Sequence, residues 1–400
     1  MIYSVKKKLI ISGSIMVLIL ITMISCNSKE SRDKKNNEDF KLLKNFTFIV
    51  EPVPEWTEVF NRNSGWFGGD GIFAIPYSGK DNDKESDSIL FVFSDTMVGE
   101  IIGDSLVPGY SMVNNSLALY EKGKAPKSTQ FFLAKDNKGQ ATTIITPNSK
   151  NGDYYWFGDG FVNATVNDKL YLFSYRIRNT DTNDQFPFEE VGNDLLVIGD
   201  KTKLPFKDIK ALELPFFQAE GSSQKISFGA GIYSELEEDE YLYIYGVRGK
   251  NKELVCARVK PQELENFKAW EFRQSDGWSD DRENLISLGD SVSNELSVSK
   301  LAKEKYALVY QHGGILPKIY MKIGKTPFGP FGERIEIWDT TNDIKDPDLF
   351  TYNAKAHPAI SEEGELLISY NVNSFKFFDI IENKPNLYRP RFIRVRFKNL

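Results

Sequence analysis

Short apolar runs separated by polar turns occupy the chain from residue 46 onward, and this pattern predicts an all-β protein. The runs are rich in β-branched and aromatic residues, which favour strands. Clusters of Gly, Asn, Asp and Pro between the runs are typical of turns. Helical periodicity is scarce, and we expect one short helix at most, within 261–270.

One strand pattern recurs five times along the chain, at intervals of about 60 to 80 residues. The five copies cover 89–95, 169–175, 241–247, 305–311 and 365–371. A further apolar run precedes each copy, at 71–76, 160–166, 229–234, 294–299 and 356–360. Because a long all-β chain with internal repeats and no linker is typical of a propeller, the sequence predicts a five-bladed β-propeller in a single domain over 46–400.

The first 45 residues have the composition of an export signal followed by a tether. Three lysines at 6–8 precede an apolar stretch over 9–24, and the segment 23–26 resembles a bacterial lipobox. We therefore predict a lipoprotein signal peptide over 1–25, lipidation of Cys26, and a polar tether over 26–45. The alternative is an uncleaved anchor helix. On the first interpretation the protein is exported and lipid-anchored at the outer membrane, facing the periplasm or the cell surface, with no other membrane contact.

Charge and composition exclude several classes of partner. The formal net charge is −6, and removal of the lysine-rich signal makes the chain more acidic, which argues against nucleic acid. Two His and two Cys in the whole chain argue against a zinc site, and Cys256 is most simply a buried strand residue. We expect no cofactor and a monomer. The sequence leaves open whether a structural calcium ion binds, because oxygen ligands are abundant.

Acidic residues stand at the predicted ends of strands, where a propeller brings side chains together in a funnel. Hydrolysis of a sugar linkage needs one carboxylic acid and one carboxylate. We predict Asp70, between flexible glycines, as base or nucleophile, and Glu295 as general acid, because desolvation raises the pKa of a carboxyl in an apolar strand. Asp95 is predicted in support. The structural alternatives are a Gly-Asp-Gly turn at Asp70, a solvated strand start at Glu295 and a turn at Asp95.

Other polar and aromatic residues at the same strand ends could bind substrate. The predicted substrate-binding residues are Trp66, Trp156, Asp159, Arg176, His312, His357 and Asn371. Some have structural alternatives: large aromatics are more often core residues, arginines more often form exposed salt bridges, and a turn shared between blades explains Asp159. His357, with the neighbouring Lys355, could orient a carboxylate, although a lone His is more often structural.

Several motifs together resemble a known group of proteins. They are 65–71 (GWFGGDG), 93–96 (FSDT), 114–116 (NNS), 326–331 (TPFGPF), 355–358 (KAHP) and 368–373 (ISYNVN). The chain resembles bacterial families of secreted five-bladed propellers of unknown function, which are similar to propeller glycoside hydrolases, including D-arabinan hydrolases and the arabinanase-like group. The resemblance implies Asp70 as base and Glu295 as acid. One departure is Ser94, where the family often has Gly.

The function predicted from sequence is hydrolysis of a glycosidic bond in an extracellular polysaccharide or oligosaccharide. A surface lipoprotein that binds glycan without cleaving it is the main alternative, because a fold alone does not imply catalysis. A cell-surface scaffold for protein interactions is a third hypothesis. The sequence does not identify the sugar, the linkage or the stereochemical outcome.

Overall fold

The structure is a computed structural model that describes residues 46–81, 88–182, 184–218, 224–236 and 239–400. The predicted signal peptide, the lipidation site Cys26 and the tether lie outside the described residues. Within the described part of the chain, no helix is long and apolar enough to cross a membrane.

Strands make up about half of the described residues. The first strands are β1 (Thr47–Pro52), β2 (Ser64–Gly69), β3 (Phe73–Pro76), β4 (Ser88–Phe93), β5 (Thr96–Ile102), β6 (Ser105–Leu106), β7 (Ser111–Val113), β8 (Ser116–Glu121), β9 (Gln130–Phe132), β10 (Ala134–Lys135) and β11 (Ala141–Thr142). They are followed by β12 (Tyr154–Val162), β13 (Leu170–Asn179), β14 (Phe188–Ile198), β15 (Ile209–Glu213), β16 (Ile226–Ser234), β17 (Leu242–Arg248), β18 (Glu253–Val259), β19 (Glu271–Gln274) and β20 (Gly277–Ser279). The last are β21 (Leu296–Ala302), β22 (Lys305–Gln311), β23 (Lys318–Gly324), β24 (Ile335–Asp339), β25 (Leu349–Ala356), β26 (Glu365–Ser374) and β27 (Arg391–Lys398).

Helical segments in the described residues are short. The α-helical turns are α1 (Pro54–Thr57) and α2 (Phe377–Ile380), and the 3₁₀ turns are Glu58–Phe60, Pro126–Ser128, Pro261–Glu263, Phe267–Ala269, Arg282–Asn284, Thr340–Asp343, Pro358–Ile360 and Pro385–Leu387. The predicted helix within 261–270 is thus two separate 3₁₀ turns.

Five antiparallel sheets of the described chain follow one another in sequence. Their strand orders are β3-β4-β8-β9, β12-β13-β14-β15, β16-β17-β18-β19-β20, β21-β22-β23-β24 and β25-β26-β27-β1. The repeated apolar run forms the second strand of every sheet, as its pattern predicted. Cys256 is buried in β18, in agreement with the sequence interpretation.

The first strands of the five sheets lie side by side. Contacts join β3 to β12, β12 to β16, β16 to β21, and β21 to β25. A narrow cavity of about 30 Å³, enough for one or two water molecules, is lined by these strands. The fifth sheet combines strands from the two ends of the described chain, because β1 pairs with β27 from Thr47↔Lys398 to Pro52↔Ile393.

The fifth inner strand lies earlier in the chain than its pattern predicted. It is β25, whereas the segment predicted as a strand, 356–360, contains a 3₁₀ turn. Pro358 explains the difference, since proline has no amide hydrogen to donate to a sheet and restricts the residue before it.

The glycine-rich motif at 65–71 does not belong to the first of the five sheets, because its strand forms part of a further sheet. The strand β2, which contains this motif, pairs with β5, while β3 pairs with β4. Lys, Asp, Asn and Ser between the motif and the Ile89–Asp95 segment are typical of a turn, which predicts the two as neighbouring strands of one sheet. Instead, Asp70 and Asp95 lie where the chain passes between the two sheets, and their backbones are hydrogen-bonded, with Asp70 N donating to Asp95 O at 3.1 Å.

Gly68 in β2 is predicted to tolerate no side chain. A Cβ added there would lie 2.1 Å from the carbonyl oxygen of Tyr388. Gly68→Ala is therefore expected to lower the free energy of unfolding by about 1–3 kcal/mol, the usual cost of overpacking. Gly199→Ala is the matched control, because a Cβ at Gly199 meets no atom within 4 Å. Chemical denaturation measures both, and equal midpoints for the two variants would contradict the prediction.

Candidate functional site

Two aspartates lie together at the end of the first sheet. The chain passes from β2 through Asp70 into β3, and from β4 through Asp95 into β5. A second backbone hydrogen bond, from Ser94 N to Asp70 O at 2.8 Å, reinforces the one from Asp70 N to Asp95 O. Both aspartates are half-buried residues.

Different donors hold the two carboxyl groups. The hydroxyl of Tyr352 donates to Oδ2 of Asp70 at 2.7 Å. Oδ1 of Asp95 accepts from the indole Nε1 of Trp156 at 2.9 Å and from Nδ2 of Asn114 at 3.2 Å. Each carboxyl group is thereby fixed in orientation by side chains from other parts of the fold.

The two carboxyl groups affect each other's protonation. Burial raises the pKa of Asp95 to about 7, and the charge of Asp70 adds to this, while the donors on Trp156 and Asn114 oppose it. Burial also raises the pKa of Asp70, but the hydroxyls of Tyr352 and Tyr388 and the positive charge of Lys355 oppose the rise.

Lys355 distinguishes the two aspartates electrostatically. Its charge favours the ionised form of Asp70, whereas the groups that shift the pKa of Asp95 include no cation. Because two neighbouring carboxyl groups share their protons as a pair, the charge of Lys355 favours placing the negative charge of the pair on Asp70. The pair can hold one carboxylate and one carboxylic acid near neutral pH.

Glu295 forms a buried ion pair with Lys355. Its Oε2 lies 2.5 Å from Nζ of Lys355, and the two side chains are 10% and 1% exposed. Burial raises the pKa of Glu295 to about 7, Lys355 opposes the rise, and the charges of Asp70 and Asp159 add to it. A register shift in β25 between Tyr352 and Lys355 accompanies this arrangement, as bulges often do beside functional sites.

Asp159 connects two inner strands. Its Oδ1 accepts from the amide of Gly160 at 2.8 Å, and its Oδ2 accepts from the amide of Ile232 in β16 at 2.7 Å. Burial raises its pKa to about 7. With both oxygens bound to backbone amides, Asp159 connects β12 and β16, and it also lines the narrow cavity between the inner strands. Its contact with substrate stays a prediction.

Trp66 and His357, predicted to bind substrate, are core residues. Trp66 is 1% exposed, and its ring packs 4.7 Å from that of Phe131. His357 is 2% exposed, and its Nε2 lies 2.7 Å from Oγ of Ser369. Burial lowers the pKa of His357 well below its usual value, so the ring is neutral. Neither side chain is open to a ligand, which corrects both predictions.

Three other predicted residues bind protein groups instead of facing the carboxyl pair. Arg176 forms ion pairs with Asp194 at 3.4 Å and Glu213 at 2.8 Å. His312 packs against Tyr320 and lies beside Arg334. Asn371 is buried, and its Nδ2 donates to the carbonyl oxygen of Gly69 at 3.0 Å. Asn371 therefore supports the backbone just before Asp70, and Arg176 and His312 belong to surface contacts.

Sequence reasoning missed Tyr352, Tyr388 and Glu190. The two tyrosines are far from Asp70 in the chain, and no local motif marks them. Glu190, in β14, accepts from the hydroxyl of Ser227 at 2.7 Å, and its other oxygen is buried without a partner. Burial raises its pKa to about 7. In the part of the chain that the structure describes, no three His, Cys, Asp or Glu side chains are arranged to hold a metal ion.

Solved structures with similar architecture are known. A protein described as a "putative hydrolase" from Bacteroides ovatus ATCC 8483 superposes with a TM-score of 0.68 at 22% identity, over 87% of this chain and 90% of that one. Inulosucrase from Halalkalicoccus jeotgali bound to kestose gives a TM-score of 0.48 at 11% identity, over 88% of both chains. An α-L-arabinofuranosidase from Clostridium thermocellum ATCC 27405 gives 0.41 at 12%, over 75% of this chain and 82% of that one.

The similarity to the Bacteroides structure shows a shared fold. No curated protein matches the sequence significantly. A family model described as "Domain of unknown function (DUF5005)" matches residues 54–398.

Proposed function

The chain belongs to this DUF5005 family, and we propose that it is a glycoside hydrolase that acts on an extracellular polysaccharide through Asp70 and Asp95. The observation that carries the proposal is the coupled carboxyl pair, in which the two members have different environments. Pairs of titratable groups whose surroundings separate their pKa values are typical of acid and base assignments. The names of two similar solved structures, a putative hydrolase and an arabinofuranosidase, are consistent with this chemistry.

In the proposed mechanism, Asp95 is the general acid. It keeps its proton near neutral pH because burial and the charge of Asp70 raise its pKa to about 7. As the bond between the anomeric carbon and the glycosidic oxygen breaks, that oxygen takes the proton of Asp95. Trp156 and Asn114 hold the Asp95 carboxyl in place through the reaction.

Asp70 supplies the carboxylate. Lys355 and the hydroxyl of Tyr352 favour its ionised form. The carboxylate either attacks the anomeric carbon or removes a proton from a water molecule that attacks it. In the first case the negative charge of Asp70 is lost when its oxygen bonds to the anomeric carbon. In the second case it is lost when Asp70 takes the proton of the water molecule.

The sequence assigned the acid role to Glu295, and the geometry favours a different role. Burial raises the pKa of Glu295 to about 7, as it does that of Asp95, but the ammonium group of Lys355, 2.5 Å from the Glu295 carboxyl, favours its ionised form, whereas the groups that shift the pKa of Asp95 include no cation. We propose that Glu295 is a positioning residue that holds Lys355 near Asp70.

The proposal extends to architecture and location. We propose that the five sheets are the blades of a closed five-bladed propeller, which the contacts between successive inner strands and the pairing of β1 with β27 support. We also propose that the chain is exported and lipid-anchored through Cys26, on the lipobox-like sequence alone.

Incubation with a polysaccharide panel tests the proposed activity. Purified protein without the predicted signal is expected to release reducing sugar from at least one member of a panel of arabinans, galactans, xylans and fructans. Binding of a polysaccharide without release of reducing ends from any panel member would favour the alternative, a glycan-binding surface lipoprotein.

The rate is predicted to fall as the pH rises above about 7. The general acid must be protonated, and Asp95 loses its proton as the pH passes its raised pKa of about 7. The opposite limb, at acidic pH, reflects protonation of Asp70. Initial rates across the pH range check the prediction, and a rate that stays constant through pH about 9 would contradict it.

A further inference from the structure

Five aromatic rings in successive contact connect Asp95 to Asp70. We call it the aromatic arch, and it consists of Trp156, Phe188, Phe186, Phe350 and Tyr352. Successive ring centroids are 4.7 Å apart for Trp156–Phe188, 6.0 Å for Phe188–Phe186, 6.1 Å for Phe186–Phe350 and 5.4 Å for Phe350–Tyr352.

Both ends of the arch are bonded to the carboxyl pair. Trp156 donates from its indole to Asp95 at 2.9 Å, and Tyr352 donates from its hydroxyl to Asp70 at 2.7 Å. The rings between these ends therefore form a continuous chain of contacts from one carboxyl group to the other.

The centre of the arch comes from a long hairpin. The pairing of β13 with β14 continues to Asn179↔Phe188, past the end of β12 at Tyr154↔Ile177. Phe186, in the connection between β13 and β14, contacts Phe350 in β25 and Phe375 just after β26, with centroids 6.1 and 6.0 Å away. Phe186 is 40% exposed, whereas Phe350 is buried at 6%. The fold thus presents one open aromatic face beside an acidic site, at the point where the hairpin meets the fifth sheet.

An exposed aromatic ring continuous with a polar site is typical of a ligand-binding surface. The C–H groups on one face of a sugar ring form an apolar surface that packs on such a ring, while the hydroxyls at its edge stay available for hydrogen bonds. The arch carries no charged side chain, and the carboxylates beside it disfavour an anionic sugar.

We propose that Phe186 forms a subsite that stacks a ring of a neutral oligosaccharide next to the sugar held at Asp70 and Asp95. This inference rests on the proposed function for its place in catalysis, but it makes a statement about binding that can be tested without turnover. A role of the arch in packing alone is the competing interpretation.

Three variants separate binding from packing, each made in an Asp70→Asn background so that no ligand is hydrolysed. Phe186→Leu keeps an apolar side chain but removes the flat ring, and Phe186→Tyr keeps the ring. Phe48→Leu is the matched control, because Phe48 also packs against a phenylalanine, Phe397 at 6.5 Å, on the outermost strand of the fifth sheet.

The probes are arabinotriose, galactotriose, xylotriose and kestose, with trigalacturonic acid as the anionic comparison, and calorimetry measures affinity. The parent is expected to bind at least one neutral probe, and Phe186→Leu to weaken that binding about tenfold or more, which corresponds to about 1.4 kcal/mol. Phe186→Tyr is expected to bind within about threefold of the parent, and Phe48→Leu to bind as the parent does. Thermal unfolding of all variants checks that the fold is kept.

Unchanged affinity in Phe186→Leu, absence of binding to every neutral probe, or preferred binding of trigalacturonic acid would each overturn the subsite. The outcome for the proposed function is separate. If binding depends on Phe186 but the wild-type protein hydrolyses no polysaccharide, the hydrolase proposal fails and the subsite stands. If hydrolysis occurs with unchanged affinity in Phe186→Leu, only the subsite fails.

Discussion

Replacement of Asp70 by Asn is expected to abolish hydrolysis, with kcat/KM reduced by about 10³-fold or more. The amide can neither attack an anomeric carbon nor accept a proton from water. Its oxygen can still accept the hydroxyl of Tyr352, so the local structure is expected to stay intact. Release of reducing sugar from the polysaccharide that the wild-type protein degrades is the measurement.

Asp239→Asn is the matched control for this variant. Asp239 also accepts a tyrosine hydroxyl, that of Tyr243 at 2.5 Å, but it lies in the connection between β16 and β17, outside the carboxyl pair. The control is expected to retain wild-type activity. Activity in Asp70→Asn close to that of Asp239→Asn would remove Asp70 from the mechanism.

The second large effect is expected at Asp95. Asp95→Asn should lower kcat by about 10²- to 10⁴-fold on a polysaccharide, because no group protonates the leaving oxygen. It should lower the rate much less on a nitrophenyl glycoside of the same sugar, since nitrophenolate leaves without a proton. The fall in rate above pH about 7, which reflects loss of the Asp95 proton, should disappear with the nitrophenyl substrate.

Glu295→Gln provides the contrast, because it removes one partner of a buried ion pair. Uncompensated charge on Lys355 should lower the free energy of unfolding by about 3–5 kcal/mol. The fall in rate at alkaline pH should remain in the folded fraction, and the nitrophenyl substrate should bring no recovery. If the nitrophenyl substrate instead restores Glu295→Gln and leaves Asp95→Asn inactive, then the acid is Glu295, as the sequence suggested.

Local patterns were sufficient to predict the all-β class and the second strand of each of the five sheets. Alternation of side chains and enrichment in β-branched and aromatic residues act over a few neighbouring positions, so they can be recognised without knowledge of the fold. The apolar pattern at 356–360 does not form the fifth inner strand, because Pro358 has no amide hydrogen to donate to a sheet and the segment turns there.

The candidate site was only partly accessible to such reasoning. Asp70 and Asp95 are close in sequence and flank one strand pair, so their proximity could be inferred. Tyr352 lies in β25 and Tyr388 in the connection between β26 and β27, and only tertiary packing brings them to Asp70. The protonation of Glu295 also depends on a distant residue. Its pKa is raised, as expected of a strand-start carboxyl, but its ion pair is with Lys355, which follows a register shift in β25.

Two tryptophans show most clearly which properties depend on the local sequence and which depend on the tertiary structure. Trp66 and Trp156 each precede Phe-Gly and a nearby Asp-Gly, and by sequence alone they predict the same role. Trp66 lies in β2, which leaves the first sheet to pair with β5, and its ring is buried against Phe131. Trp156 lies in the inner strand β12, and its indole holds Asp95. The sequence by itself determined which segments are strands and that acidic residues lie at their ends, because both depend on neighbouring residues. Only the tertiary structure decided which aromatic ring is core and which carboxyl keeps a proton, because burial and charge depend on residues far apart in the chain.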